Sequence, residues 1–263
     1  MVNYEPKPFY TCADLVEIVK LLRAPGGCPW DREQTHRSIR RDLLEEAYEV
    51  AEAIDEGSPE HLKEELGDLL LQVVFHAVLS QEEGQFDLDA VADGVCKKLI
   101  YRHPHVFGDV TVGSTGEVLK NWEELKKKEK HQDSQADAVD AVARSLPALW
   151  RAEKVQKKAA KVGFDWPDVS GALDKVSEET AELRAAMDGD GDVGEELGDL
   201  LFAAVNVGRF LKLDPEKSLT TATDKFAARF RRVEQAARAQ GRELKDMTLA
   251  EMDILWDQVK KQA

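Results

Sequence analysis

The feature that most constrains this chain of 263 residues is an internal repeat. LLEEAYEV at 43–50 matches VSEETAEL at 176–183, at an offset of 133 residues. EELGDLL occurs at 64–70 and again at 195–201, at an offset of 131 residues. Motifs that keep their order while their offsets drift indicate a duplicated domain with loops of altered length. The repeat continues downstream, where Lys98-x3-Arg102 parallels Lys225-x3-Arg229 and Trp122-x3-Lys126 parallels Trp256-x3-Lys260.

Both copies are rich in helix-forming residues, and their apolar side chains recur at helical spacing. We find no run of alternating residues typical of a strand, so the sequence predicts an all-α fold built from two helical domains. The stretch HQDSQADAVDAVARS at 131–145 is polar and weakly periodic, which makes it the best candidate for a linker. The expected domains are therefore residues 1–130 and 146–263.

Each copy carries two pairs of acidic residues, within E-E-x-x-E on one predicted helix and E-x-x-D on the next. Residues three apart lie about 60° from each other around a helix and share a face. A short polar connection makes the two helices antiparallel neighbours, so the four acids should converge. The acids are Glu46, Glu49, Glu65 and Asp68 in the first copy, and Glu179, Glu182, Glu196 and Asp199 in the second.

Four convergent carboxylates are costly at a partly apolar interface unless cations neutralise them. An all-oxygen site suits a hard divalent cation, either Mg²⁺ or Mn²⁺ in its place. A di-iron bundle is excluded, because it needs histidine three residues after a ligating glutamate and this chain has Glu or Asp there. The alternative interpretation is a solvated acidic face, which is the usual role of such residues.

A basic stripe and a tryptophan follow the acids of the second copy. Lys225, Arg229 and Arg232 lie in a narrow arc of one predicted helix. Trp256 is followed by Lys260 one helical turn later. Ammonium and guanidinium groups bind phosphate oxygens well, and an indole can stack on a nucleobase. The alternatives are a solvated basic face and a tryptophan that belongs to the core.

Acidic residues outnumber basic ones by 51 to 36, which gives a formal net charge of −15. Such a surface repels polyanions, so neither nucleic acid nor an anionic membrane is an expected partner. The three cysteines lack metal-site spacing, the start lacks the apolar segment of a signal peptide, and the longest apolar stretch, 69–79, is too short to span a bilayer. A cytoplasmic location is expected.

Together with the duplicated acids, the motifs GCPWD, RHPHVFG, SLPAL, VGFDW and ELGDLLF resemble those of two-domain MazG nucleoside triphosphate pyrophosphohydrolases. The resemblance covers essentially the whole chain, from about Leu15 to Lys261. It implies an all-α fold in which each copy contributes to a four-helix catalytic bundle assembled in a homodimer. It also implies Mg²⁺-dependent cleavage of nucleoside triphosphates, standard or modified, to nucleoside monophosphate and diphosphate.

Carried over position by position, the resemblance places the functional residues in the second copy. Its four acids would hold the metal for attack of water on the α-phosphorus, with Glu178 or another nearby acid as the proton acceptor. The residues in contact with the nucleotide would be Lys175, Glu178, Glu195, Lys225, Arg229, Trp256 and Lys260. The first copy keeps the four acids, but the second copy is the better candidate for turnover.

Two other functions stay open at this point. One is an acidic helical scaffold or adaptor without catalysis, and the other is a phosphoribosyl-ATP or dUTP pyrophosphohydrolase of the same architecture. A scaffold predicts no Mg²⁺-dependent rise in melting temperature, whereas a metal site stabilises the native state by mass action. A panel of nucleotides separates the enzymes from one another.

Overall fold

The computed structural model describes residues 4–129 and 134–261. Within these ranges the protein consists of helices and connecting loops without any strand, so the predicted all-α fold is confirmed. Contacts divide the chain after Lys126 into two compact units. None of the helices in the described ranges is long and apolar enough to cross a membrane.

The first unit is built around a helical hairpin. Its helices are α1 (Cys12–Arg23), α2 (Pro29–Glu33), α3 (Arg40–Glu56), α4 (Pro59–Glu82), α5 (Leu88–Arg102), α6 (Pro104–Phe107) and the greater part of α7 (Thr115–Glu129). The turn between α3 and α4 is tight, because Gly57 ends α3 with a φ of 69° and the Ser58 side chain caps α4. Val19 of α1 packs against Val74 and Val78 of α4 and forms the core of this unit.

The second unit contains a hairpin of the same kind. Its helices are α8 (Gln135–Asp140), α9 (Ala148–Ala160), α10 (Val169–Met187), α11 (Val193–Phe210), α12 (Pro215–Ala239) and α13 (Leu249–Lys261), with a short 3-10 helix at Leu244–Asp246 before α13. The loop between α10 and α11 turns through Gly189 and Gly191, whose φ angles are 112° and 138°. Asp192 then caps α11 by accepting hydrogen bonds from two backbone N–H groups. The α3–α4 and α10–α11 hairpins carry the repeated acidic motifs.

The range proposed as a linker is helical over part of its length. Residues 131–133 lie outside the described residues. After them, Ser134 and Asp137 form a capping box at the start of α8. Ala138 and Val142 are buried, so this part of the chain packs against its own unit.

Candidate functional site

The α10–α11 hairpin brings the acids of the second copy together. Glu179 of α10 and Glu196 and Asp199 of α11 each place one carboxylate oxygen within 4.8 Å of the others. Glu182 lies one turn after Glu179, and a hydrogen-bonding contact with that carboxyl, followed by burial, raises the pKa of Glu182. Three of the four acids that share a pattern in the sequence therefore converge, and Glu182 joins them through Glu179.

Glu179 is the most deeply buried of these four acids, at 4% exposure. The Nζ atom of Lys175 lies 2.6 Å from its Oε1. Oε2 of Glu179 is also buried, but it has no hydrogen-bond partner among the residues that the structure describes. A buried carboxylate oxygen without a partner is costly unless a cation or donor lies beside it. This unpartnered oxygen and the neighbouring carboxylates are a donor set that fits a divalent cation.

Lys175 forms ion pairs at the edge of the carboxylate cluster. Its ammonium group contacts two acids of the same helix, Glu178 at 2.9 Å and Glu179 at 2.6 Å. The hydrogen bonds to these carboxylates raise the pKa of Lys175 above its usual range, so the ammonium group stays charged at neutral pH. Glu195, in the first turn of α11, is exposed to solvent. The ammonium group of Lys175 therefore places a positive charge at the edge of the carboxylate cluster.

The α3–α4 hairpin forms a second carboxylate cluster. Glu46 and Glu49 of α3 and Glu65 of α4 place carboxylate oxygens within 4.8 Å of one another. Burial, followed by the negative charges of Glu49 and Asp68, raises the pKa of Glu46. Asp68 is therefore close enough for its charge to act on Glu46, but its oxygens are not among the three that converge.

His61 supports the first cluster, and sequence reasoning missed it. Its Nε2 lies 3.0 Å from Oε1 of Glu65, and its Nδ1 lies 2.7 Å from Oε2 of Glu56. The hydrogen bond with Glu56 raises the pKa of His61, since it favours the charged imidazolium. The available signal was spacing, because His61 precedes Glu65 by one helical turn. Asp192, which caps α11, holds the corresponding position in the second copy.

Apart from Lys175, the basic residues predicted for nucleotide contact lie on helices other than those of the acids. Among the described residues, Lys225, Arg229 and Lys260 form no hydrogen bond or ion pair through their side chains. Trp256 of α13 packs against Phe226 of α12, with ring centroids 5.1 Å apart. A single chain therefore assembles the acids, while these three cations and Trp256 lie on α12 and α13.

The VGFDW motif anchors the start of α10. Asp165 accepts two hydrogen bonds from the guanidinium group of Arg209 in α11, at 2.9 and 2.5 Å. These hydrogen bonds lower the pKa of Asp165. Trp166 lies against Gly171, where an added Cβ would be only 2.3 Å from the ring atom Cδ1. The loop thereby positions the helix that carries Glu179.

A family model and similar proteins of known name agree on one family for this chain. Residues 34–107 match the MazG nucleotide pyrophosphohydrolase domain. The chain is 46% identical over 253 residues to the nucleoside triphosphate pyrophosphohydrolase of Escherichia coli K12, covering 94% of this chain and 96% of that protein. It is 44% identical over 247 residues to the nucleoside triphosphate pyrophosphohydrolase/pyrophosphatase MazG of Thermotoga maritima, covering 94% of each.

Among solved structures, a MazG-related protein from Thermotoga maritima matches 44% of this chain and 98% of its own. The sequence identity is 30% and the TM-score is 0.38.

Proposed function

The chain belongs to the family of MazG nucleoside triphosphate pyrophosphohydrolases, and we propose that it hydrolyses nucleoside triphosphates to nucleoside monophosphates and diphosphate with Mg²⁺ as its cofactor. As a member of this family it is a hydrolase that acts on phosphoric anhydride bonds. The observation that carries the metal-dependent proposal is the buried, unpartnered Oε2 of Glu179 within a cluster of carboxylates. Triphosphates commonly bind to proteins through such a cation.

The proposed ligands are the four repeated acids of each copy. The second copy would hold the ion with Glu179, Glu182, Glu196 and Asp199. The first copy would use Glu46, Glu49, Glu65 and Asp68. Mn²⁺ should replace Mg²⁺, since both prefer oxygen ligands. An ion held by these acids would supply Lewis acidity for the attacking water and would offset the negative charge of the triphosphate.

The remaining residues of the second copy have separate roles in the proposed reaction. Water attacks the α-phosphorus in line, the bond from that phosphorus to the bridging oxygen breaks, and diphosphate leaves. Glu178 is exposed beside Glu179 and would accept the proton of the water. Lys175, whose Nζ lies 2.9 Å from Glu178, would contact a phosphate oxygen.

Lys225, Arg229 and Lys260 would neutralise the charge that develops on the leaving diphosphate. Preorganised groups of this kind are commonly worth about 3 kcal/mol each in the transition state. These three side chains have no ion pair among the described residues, which leaves them available to an anion. Trp256 would contact the base, and one such contact predicts loose base selection, which suits removal of unwanted nucleotides from the cytoplasmic pool.

A homodimer would bring the cations of α12 to a carboxylate cluster. Leu219, Phe226 and Phe230 are 55%, 57% and 46% exposed. They lie within an arc of about 40° on α12, so they form one apolar stripe. A stripe of this length exposed on a helix is typical of a surface that another chain covers. Lys225 and Arg229 flank it, so pairing through the stripe would carry both cations to the partner subunit.

Product analysis tests the proposed activity. ATP incubated with the protein and Mg²⁺ should yield AMP and diphosphate, and ADP with orthophosphate would contradict the proposal. A panel that includes dUTP and phosphoribosyl-ATP distinguishes broad triphosphate hydrolysis from the two narrower activities. A protein that hydrolyses none of these and gains no thermal stability from Mg²⁺ would be the scaffold instead.

A further inference from the structure

Lys175 lies against the buried acid of the second carboxylate cluster. Its Nζ contacts two acids of its own helix, Oε1 of Glu179 at 2.6 Å and Oε1 of Glu178 at 2.9 Å. Glu179 is buried, Glu178 is exposed, and Lys175 is partly exposed. The ammonium group therefore contacts one acid inside the cluster and one acid at the solvent-exposed surface.

The order of the pair along α10 is not the order that best stabilises a helix. Lys175 precedes Glu179 by four residues. A glutamate that precedes a lysine by four residues is the more favourable arrangement, because it agrees with the helix dipole. Helix stability alone therefore does not explain a lysine at this position.

The ammonium group does lower the electrostatic cost of the cluster. Glu179, Glu196 and Asp199 place carboxylate oxygens within 4.8 Å of one another, and charges this close repel. Contact with Glu179, followed by burial, raises the pKa of Glu182, and the charge of Lys175 opposes this rise. The lysine thus supplies a positive charge from within the chain that offsets part of the repulsion.

The lysine occupies only one oxygen of Glu179. Oε2 is buried and has no hydrogen-bond partner among the residues that the structure describes, so it is the oxygen that a divalent cation would take. Because both oxygens belong to one carboxylate, such a cation and the ammonium group would lie close together and repel each other. Lys175 has a flexible stem and is partly exposed, so its ammonium group can turn outward.

We propose that Lys175 is a built-in counter-ion of the second cluster, which a divalent cation displaces from Glu179 and which then contacts the phosphates of the incoming nucleotide. This role rests on the proposed function of the second copy. It couples the two binding events, since the ammonium group is released for the phosphates once the cation is bound. A lysine that only held Glu179 in place would act in the opposite way, because the cation would bind more weakly without it.

Binding of Mn²⁺ alone, measured by electron paramagnetic resonance of the free ion, tests the competition. The full chain carries E46Q and E49Q, so that uptake reports the second cluster. In this background K175M should bind Mn²⁺ about tenfold more tightly, the effect expected when one charged hydrogen bond no longer competes. K175R keeps the positive charge and should bind Mn²⁺ no more tightly than the background.

Binding of α,β-methylene ATP at saturating Mn²⁺, measured by calorimetry, tests the contact with phosphate. In the same background K175M should bind this analogue about tenfold more weakly, because the phosphates lose one ion contact. K175R should recover part of the binding. A single substitution should thus shift the affinities for the cation and for the nucleotide in opposite directions.

The matched control is R184M, which removes one positive charge from the opposite side of α10. Arg184 is exposed and lies nine residues after Lys175, which is about 180° around the helix. R184M should leave both affinities unchanged. An equal gain in Mn²⁺ affinity from R184M would show a general effect of charge and overturn the proposal. A K175M chain that binds Mn²⁺ no more tightly than the background, or the analogue no more weakly, would also overturn it.

Circular dichroism checks that K175M folds. If it does not, K175Q removes the charge but keeps a polar side chain, and it should give the same two shifts. A wild-type chain that releases AMP and diphosphate, combined with no gain in Mn²⁺ affinity from K175M or K175Q, contradicts the counter-ion role of Lys175 alone. A wild-type chain that neither hydrolyses triphosphates nor binds Mn²⁺ overturns the proposed function as well.

Discussion

The Nζ atom of Lys175 lies 2.6 Å from Oε1 of Glu179, while Oε2 of the same buried carboxylate has no hydrogen-bond partner among the described residues. One oxygen is therefore held by a cation of the chain, and the other is buried without a partner among the described residues. This arrangement leaves one carboxylate oxygen for a second positive charge. A divalent ion supplies that charge and also relieves the repulsion among the acids.

Removal of the Glu179 charge should lower turnover and abolish the stabilisation of the protein by Mg²⁺. We expect E179Q to lose at least about a hundredfold in turnover, since perturbed metal sites commonly lose this much. Its melting temperature without metal should stay close to that of the wild type, but the rise caused by Mg²⁺ should disappear. Differential scanning fluorimetry with and without Mg²⁺ measures this. D174N, on the exposed side of α10, is the control and should keep both properties. A metal-dependent rise retained in E179Q would place the ion elsewhere.

The raised pKa of Glu182 predicts how pH affects the metal-free protein. Below pH 4.5, the ordinary pKa of a glutamate side chain, the carboxyl is neutral in both the native and the unfolded chain, and its contribution to stability is fully present. As pH rises through the raised pKa, this contribution is lost because the native cluster resists the extra charge. E182Q should therefore be more thermostable than the wild type at pH 7 in a chelator, and the difference should shrink towards pH 4.5. A difference that does not vary with pH would contradict this explanation.

The buried position of His76 predicts that the native protein loses thermal stability in mild acid. Its Nδ1 lies 2.7 Å from Nδ1 of His36, the two rings stack with centroids 5.0 Å apart, and its Nε2 is buried without a partner among the described residues. Burial, followed by the charge of His36, lowers the pKa of His76 below 6.5. As pH falls below 6.5, the unfolded chain gains a proton that the native chain resists, so stability should decline until the native pKa is reached. Melting curves of the wild type and H76L should therefore diverge over this range, and parallel curves would refute the assignment.

Gly171 should tolerate alanine only when Trp166 is removed. In the native chain an alanine Cβ would lie 2.3 Å from Cδ1 of Trp166, so the ring must move. We expect G171A to destabilise the second unit by about 1–3 kcal/mol, as overpacking does. In the W166A background the clash is gone and alanine should become neutral or favourable, because it is the better helix former. A double-mutant cycle from urea denaturation measures the coupling, and additive effects would exclude the predicted clash.

The apolar stripe of α12 should control association. Wild-type protein should sediment as a dimer at micromolar concentration, and F230E should shift it to the monomer because a charge is costly in a buried apolar interface. Lys225 and Arg229 would then lie far from the partner's acids, so turnover should fall with the dimer fraction. L249E, at an exposed apolar position at the start of α13, is the control and should remain dimeric. A monomeric wild-type protein with full activity would contradict this model.

Much of the architecture could be predicted from the sequence because it depends on spacing alone. Residues three and four apart share a helix face in any helix, so the pairing of Glu46 with Glu49 and of Glu196 with Asp199 follows from the repeat and from helical periodicity. The short connections between the acidic helices also imply hairpins, and the structure has them at Gly57–Ser58 and between α10 and α11. The all-α fold follows from the same patterns.

Tertiary packing decided which other side chains contact the acids and the tryptophans. The sequence by itself determined which acids share a helix face, since that follows from their spacing along one helix. Only the tertiary structure shows that the imidazole of His61 contacts both Glu65 and Glu56. It alone also shows that Arg102 and Lys126 lie over the ring of Trp122. Contacts of this kind depend on the rotation and depth at which helices pack, which differ between two copies that share a pattern. The repeat therefore predicts two similar clusters, and their unlike surroundings distinguish them.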